Sequence, residues 1–176
     1  THPCTEYALE VVSSKRVAGR YEILACQRHL RDLKRSSEDE QYPWLFDEER
    51  ANKIYTWFHY CKHVEGPLAG NPIELEPFQK FDLGCIFGWV SRETRYRRFE
   101  KAYIRMARKN GKSILMSGIG LYLMCGDGED NPKVYCAAVD REQARIIYEG
   151  AMAMAYKSPD IQKRLKIRNY QISHLT

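Results

Sequence analysis

"MARKNGKS", residues 106–113, is the stretch on which the reading of this chain turns. A phosphate-binding loop has the pattern G-x-x-x-x-G-K-[ST]. Gly111, Lys112 and Ser113 fit its end. Met106 stands where the first glycine belongs, and two bases, Arg108 and Lys109, lie inside the loop. Gly-Lys-Ser alone is a weak match, so its context must decide. A phosphate loop leaves a strand and opens a helix, so that free backbone N–H groups and the positive helix end converge on the anion. "AYIRMA" (102–107) is short and mainly apolar, and reads as the strand. "KSILMSGIGLYLMCG" (112–126) reads as an apolar helix, and "DGEDNP" (127–132) as a turn. "KVYCAAV" (133–139) is apolar on both faces, as a strand inside a parallel sheet is. Asp140 and Gln143 form a variant capping box for a helix that ends near Lys157, before Ser158-Pro159. Strand, helix, strand, helix predicts a βαβα unit of a doubly wound sheet.

The chemistry of such a loop assigns roles. Gly111 lets the backbone approach phosphate closely. Lys112 bridges the β- and γ-phosphates of ATP, and the Ser113 hydroxyl holds Mg²⁺. Ala107, Arg108, Lys109 and Asn110 form the rest of the wall. Arg108 either stabilises transition-state charge as an arginine supplied in cis, clamps the ground-state phosphate, or faces solvent with Lys109. Met106 in the glycine position argues against the common kinase and GTPase loops. "GIGLYLMCGDG" (118–128) carries glycines without a dinucleotide fingerprint.

Upstream, Ile23, Cys26, Leu30 and Leu33 recur at helical spacing and predict a helix over 18–35. "KRSSEDEQYP" (34–43) is a polar break. Asp47 caps a second helix whose buried stripe is Ala51, Ile54, Tyr55, Phe58 and Cys61. "EGPLAGNP" (65–72) is a loop. Pro77 suits the first turn of a third helix, on which Phe78, Phe81, Cys85 and Trp89 share a face and Gln79 does not. A helical N-terminal segment (1–75) followed by the opening of an α/β nucleotide-binding domain (76–176) is the expected plan. The Gln79 amide both donates and accepts, so it can meet adenine N6 and N7 together. Phe78 either stacks on the base or belongs to the core.

Bulk composition is that of an ordinary globular chain: 176 residues, 44% hydrophobic and 29% charged. The net charge of +5 is mild, but Arg92 to Lys112 holds nine Lys/Arg against two Glu. Within that run Arg95, Arg97 and Arg98 either touch DNA phosphates or decorate a solvent-facing hairpin. Six cysteines without C-x-x-C spacing, mostly among apolar neighbours, suggest reduced, buried thiols and a reducing compartment. His59-x-Cys61-x-His63 has no second ligand pair at usable spacing, which disfavours zinc there. No apolar run is long enough to span a membrane, and no secretory leader is visible.

"ARKNGKS", preceded by "RRFEKAYIRM" and "ELEPFQKFDLGCIFGW", resembles the ATPase domain of phage terminase large subunits, the motors that pump DNA into capsids. That family has a deviant Walker A with arginine in the loop, here Arg108, and an adenine-recognising Q motif, here Pro77-Phe78-Gln79. "KVYCAAVDREQARIIYEGA" (133–151), "ACQRHLRDL" (25–33) and "YPWLFDEERANKI" (42–54) extend the likeness over most of the chain, from Ala25 to Ser158. The resemblance implies a P-loop NTPase fold, with a parallel sheet flanked by helices. It implies ATP and Mg²⁺ as cofactors and ATP hydrolysis coupled to translocation of double-stranded DNA. The implied partners are the portal protein, a small terminase subunit and further copies of the chain in a ring on the capsid. The implied location is the host cell cytoplasm. Full-length members also carry a C-terminal RNase H-like nuclease. A Walker B strand and that nuclease are not in this sequence, which begins at Thr1; "LFDEE" (45–49) reads as a helix cap. The expectation is therefore a fragment of a longer protein, weakly active alone. The rivals are another P-loop motor such as a helicase, and a non-enzymatic DNA-binding or assembly module.

Overall fold

The computed structural model describes residues 1–168 and 171–174, arranged as two compact units. The first comprises Thr1–Tyr55 and Leu75–Tyr103, the second Thr56–Glu74 and Ile104–Thr176. This division differs from the sequence-based boundary at residue 75. The reason is the helix that follows it, which joins the N-terminal helices in one core and carries residues 75–103 with it.

The first unit contains α1 (Pro3–Val12), α2 (Arg20–Glu38), β1 (Trp44–Phe46), most of α3 (Glu48–Tyr60), α4 (Pro77–Gly88) and β2 (Trp89–Ser91). Pro3 opens α1, and the His2 ring caps it by accepting from the Cys4 backbone N–H at 3.2 Å. Helix α2 runs through Ser37 into the segment read as a polar break. Asp47 caps α3 as expected, accepting from the Arg50 N–H at 3.0 Å. Strands β1 and β2 pair antiparallel, Phe46 opposite Trp89 and Trp44 opposite Ser91. Trp89 is thus a strand residue and does not continue the α4 face. Helix α4 stops at Gly88, where a Cβ would lie 2.7 Å from the Phe46 ring, so a side chain there would prise the strand pair from the helix. The core consists of Cys4, Tyr7, Ala8 and Val11 of α1, Cys26 of α2, Tyr42, Phe46, Ala51, Phe81, Cys85 and Trp89.

Two buried polar groups of α2 are matched inside this unit. The Trp89 indole N–H donates to His29 Nδ1 at 3.1 Å, and Thr5 Oγ1 lies 3.2 Å from Nε2. The Asp32 carboxylate accepts from Arg98 at 2.8 Å and from Arg31 at 3.1 Å. Burial alone would raise the Asp32 pKa, but these guanidinium bonds outweigh it and hold the carboxyl below its ordinary value.

The second unit contains the end of α3, α5 (Lys112–Cys125), α6 (Arg141–Lys157), α7 (Pro159–Gln162) and the antiparallel pair β3 (Leu165–Arg168) and β4 (Gln171–His174). Asp140 caps α6, accepting from the Gln143 N–H at 2.8 Å. The segments 102–107 and 133–139, expected as strands, have no regular structure, and no parallel sheet is present among the described residues. A strand needs a neighbour to take its backbone groups. Among the described residues neither segment has one, and Tyr103, Tyr135 and Val139 are 91%, 83% and 98% exposed. Cys136 is exposed for the same reason, against the expectation of buried thiols; Cys4, Cys26, Cys61 and Cys85 are buried.

Candidate functional site

The loop 107–111 lies between an irregular segment and the first turn of α5, which begins at Lys112. Its backbone reverses through two left-handed residues, Lys109 (φ 68°) and Gly111 (φ 73°, ψ 13°). Glycine takes that conformation without cost, whereas a lysine there is uncommon and strained, a feature concentrated at ligand-binding turns. Gly111 is the N-cap of α5. It has no side chain to cap with, and nothing lies within 4 Å of the place a Cβ would occupy. Its carbonyl accepts from the Leu115 N–H at 2.9 Å, which starts the helix. The N–H groups of Lys112, Ser113 and Ile114 therefore have no acceptor within the helix. No carboxylate sits in the first turn. Ala107 through Ser113 are all exposed, and the Arg108, Lys109 and Lys112 side chains have no hydrogen bond or ion pair among the described residues. Open N–H groups, the positive end of a 14-residue helix and three cations without an ion pair among the described residues are features that favour an anion at this turn.

What holds α5 in place is close packing. A Cβ on Gly118 would meet the Phe58 ring at 2.4 Å, and the Gly118 carbonyl accepts from the Trp57 indole N–H at 3.0 Å. On the α6 side the Ser117 hydroxyl donates to the Ile147 carbonyl at 3.0 Å, close to where a Gly150 side chain would be. Leu115, Leu121 and Tyr122 are buried along the same helix. The exposed loop is thus mounted on a rigid element.

The other sequence-derived candidates belong to the first unit. Phe78 is part-buried and packs against its apolar core. Gln79 is half-buried; its Oε1 accepts from the Glu76 backbone N–H at 2.9 Å and so closes the start of α4. Arg95 pairs with the Asp47 carboxylate, Arg97 lies over the Phe87 ring at 5.5 Å, and Arg98 is held by Asp32 while facing Trp44, Trp89 and Phe99. These arginines have intramolecular work, which a scan for basic runs does not reveal. His59 is exposed and Cys61 buried; the cluster of metal-binding side-chain types among the described residues lies elsewhere, at Cys4, His29 and Cys85.

Residues 77–173, more than half of the chain, match the family model "Terminase large subunit, ATPase domain". The chain belongs to that family. It is 32% identical over 109 residues to the terminase large subunit of Enterobacteria phage HK97, covering 61% of this chain and 20% of that protein. The crystal structure of the HK97 bacteriophage large terminase superimposes with a TM-score of 0.59 at 26% identity, covering 72% of this chain and 25% of that one. The chain therefore spans about a fifth to a quarter of the length of these relatives. Among the described residues no helix is long and apolar enough to cross a membrane.

Proposed function

We propose that the turn 107–113 binds the triphosphate of ATP with Mg²⁺, and that hydrolysis there drives double-stranded DNA into a procapsid. The observation that carries this is the left-handed, uncapped and fully exposed turn at the start of α5, with three free cations around it. Family membership supports ATP over other anions. In this reading Lys112 neutralises the β/γ-phosphates, Gly111 and its neighbours donate backbone N–H groups, and the exposed Ser113 hydroxyl is a suitable oxygen donor for Mg²⁺. Arg108 acts on the γ-phosphate in the transition state. Gln79 and Phe78 recognise adenine; the second lone pair of Gln79 Oε1 and its amide N–H₂ remain available beyond the Glu76 bond. The segments 102–107 and 133–139 become strands of a parallel sheet when further strands of the domain pair with them. The portal, a small terminase subunit, a ring of copies, a nuclease and a site of action in the host cytoplasm belong to the same proposal.

The test is ATP affinity with and without Mg²⁺ for wild type and Lys112→Ala. A charge-assisted contact contributes ~1.5–3 kcal/mol, so the variant should bind about ten- to a hundredfold more weakly. Unchanged affinity would refute the assignment. Arg108→Ala, measured in the full-length protein, should lower turnover by ~10³-fold while affinity falls much less. Equal losses in turnover and affinity would make Arg108 a ground-state clamp.

A further inference from the structure

Three helices of the first unit bring soft donor atoms to one point. Cys4 of α1 and Cys85 of α4 approach at 3.5 Å between sulfurs, and Cys85 Sγ lies 3.6 Å from Nδ1 of His29 on α2. One donor atom from each residue falls within 4.8 Å of the other two, and all three residues are buried. We propose that Cys4, His29 and Cys85 bind one thiophilic divalent cation, zinc(II), which pins α1, α2 and α4 together.

The spacing supports this. With Zn–S of about 2.3 Å and Zn–N of about 2.0–2.1 Å, tetrahedral geometry puts two sulfurs ~3.8 Å apart and sulfur ~3.6 Å from nitrogen. The Cys4–Cys85 and Cys85–His29 separations are within a few tenths of an ångström of those edges, and the third edge, from Cys4 to His29, is within 4.8 Å, so binding a cation draws Cys4 and His29 together around Cys85. The charge also balances. Zinc(II) with two thiolates and a neutral imidazole carries no net charge, which is what a dehydrated core accommodates. Binding converts the two thiols to thiolates and releases two protons to solvent. The Phe81 carbonyl oxygen, 3.5 Å from Cys4 Sγ, is a further oxygen donor at the cluster. Without the cation, His29 Nδ1 accepts from the Trp89 indole, and coordination through Nδ1 must break that bond. Trp89 is therefore a built-in reporter. The site uses no residue of the 107–113 turn and stands apart from the nucleotide reading.

The experiment uses the full-length protein, reduced and stripped with a chelator, then titrated with cobalt(II) as a spectroscopic stand-in and with zinc(II) in competition. The expected result is one equivalent bound, with thiolate-to-cobalt charge-transfer absorption, tetrahedral d–d bands, a change in tryptophan emission and two protons released. Zinc should also raise the melting temperature. Cys85→Ser should weaken binding at least about tenfold, whereas Cys136→Ser, which changes an exposed cysteine, should not. If Cys85→Ser fails to fold, the wild-type spectrum and proton count decide. Absence of the charge-transfer band, or binding that survives Cys85→Ser or vanishes in Cys136→Ser, would overturn the proposal.

Discussion

Asp82 offers a test of the first unit in which the sign is fixed by burial. The side chain is half-buried on α4 in the neighbourhood of Glu22, Tyr7 and Cys26. Loss of hydration and then the Glu22 charge push its pKa from 3.8 to about 7. Glu22 is raised as well, chiefly by burial, against the bond it receives from Tyr7. Because the folded state holds the Asp82 proton more tightly than the unfolded chain does, folding is favoured while that proton stays on. The contribution is fully present below about pH 4 and is lost as pH rises toward 7. Three pKa units correspond to a ceiling of about 4 kcal/mol at 1.36 kcal/mol each. Residual contact with water brings the expected effect nearer ~2 kcal/mol. Asp82→Asn keeps the shape and removes the charge. It should stabilise the protein by ~2 kcal/mol at pH 8, a rise of ~4–8 °C in Tm, and do almost nothing at pH 4. Urea unfolding followed by tryptophan fluorescence at pH 4, 6 and 8 measures this directly. A gain that is the same at all three pH values, or a loss at pH 8, would refute the reasoning.

Two further changes test the packing. Gly118→Ala should destabilise by ~1–3 kcal/mol, seen as a lower urea midpoint, because its methyl would meet the Phe58 ring at 2.4 Å; a neutral result would mean that α5 is not packed as described. Arg98→Ala should cost ~3–5 kcal/mol by leaving the Asp32 carboxylate with only the exposed Arg31, and adding Asp32→Asn should recover part of that loss in a double-mutant cycle. Additive losses would show that the two side chains are not coupled.

The parts of this structure that were legible in the sequence depend on local chemistry. The starts of α3 and α6 follow from Asp47 and Asp140, each accepting a backbone N–H three residues on. Helix α5 begins at Lys112, directly after the glycine that marks its cap. Helix α1 went unread because its cap is His2, outside the usual Ser, Thr, Asp and Asn set, although Cys4, Tyr7, Ala8 and Val11 have the spacing of a buried helical face. The β1–β2 pair escaped because three-residue strands are too short to show alternation. Gln79 closes its own helix in an arrangement related to the capping box, with Glu76 in place of the usual hydroxyl residue, and so hides a structural role inside a motif read for recognition.

The features that did not read from the sequence are the ones that depend on distant partners. Arg98 sits in a basic run, yet its guanidinium is committed to Asp32, 66 residues away in the chain. Cys4 and Cys85 are 81 residues apart and share no motif. The strand character of 102–107 and 133–139 lies on the same link of the chain of cause: apolar composition makes a segment fit to be a strand, but only a neighbour makes it one. The turn at 107–111 needs no such neighbour. Its geometry follows from one glycine, one strained lysine and the helix that starts behind them. On the proposed reading, the phosphate-binding turn therefore needs no sheet behind it to take its shape. Stability of the turn and stability of the sheet are therefore separable quantities. Nucleotide affinity should follow changes in the Lys109–Ser113 backbone and α5 packing far more closely than changes at Tyr103 or Tyr135.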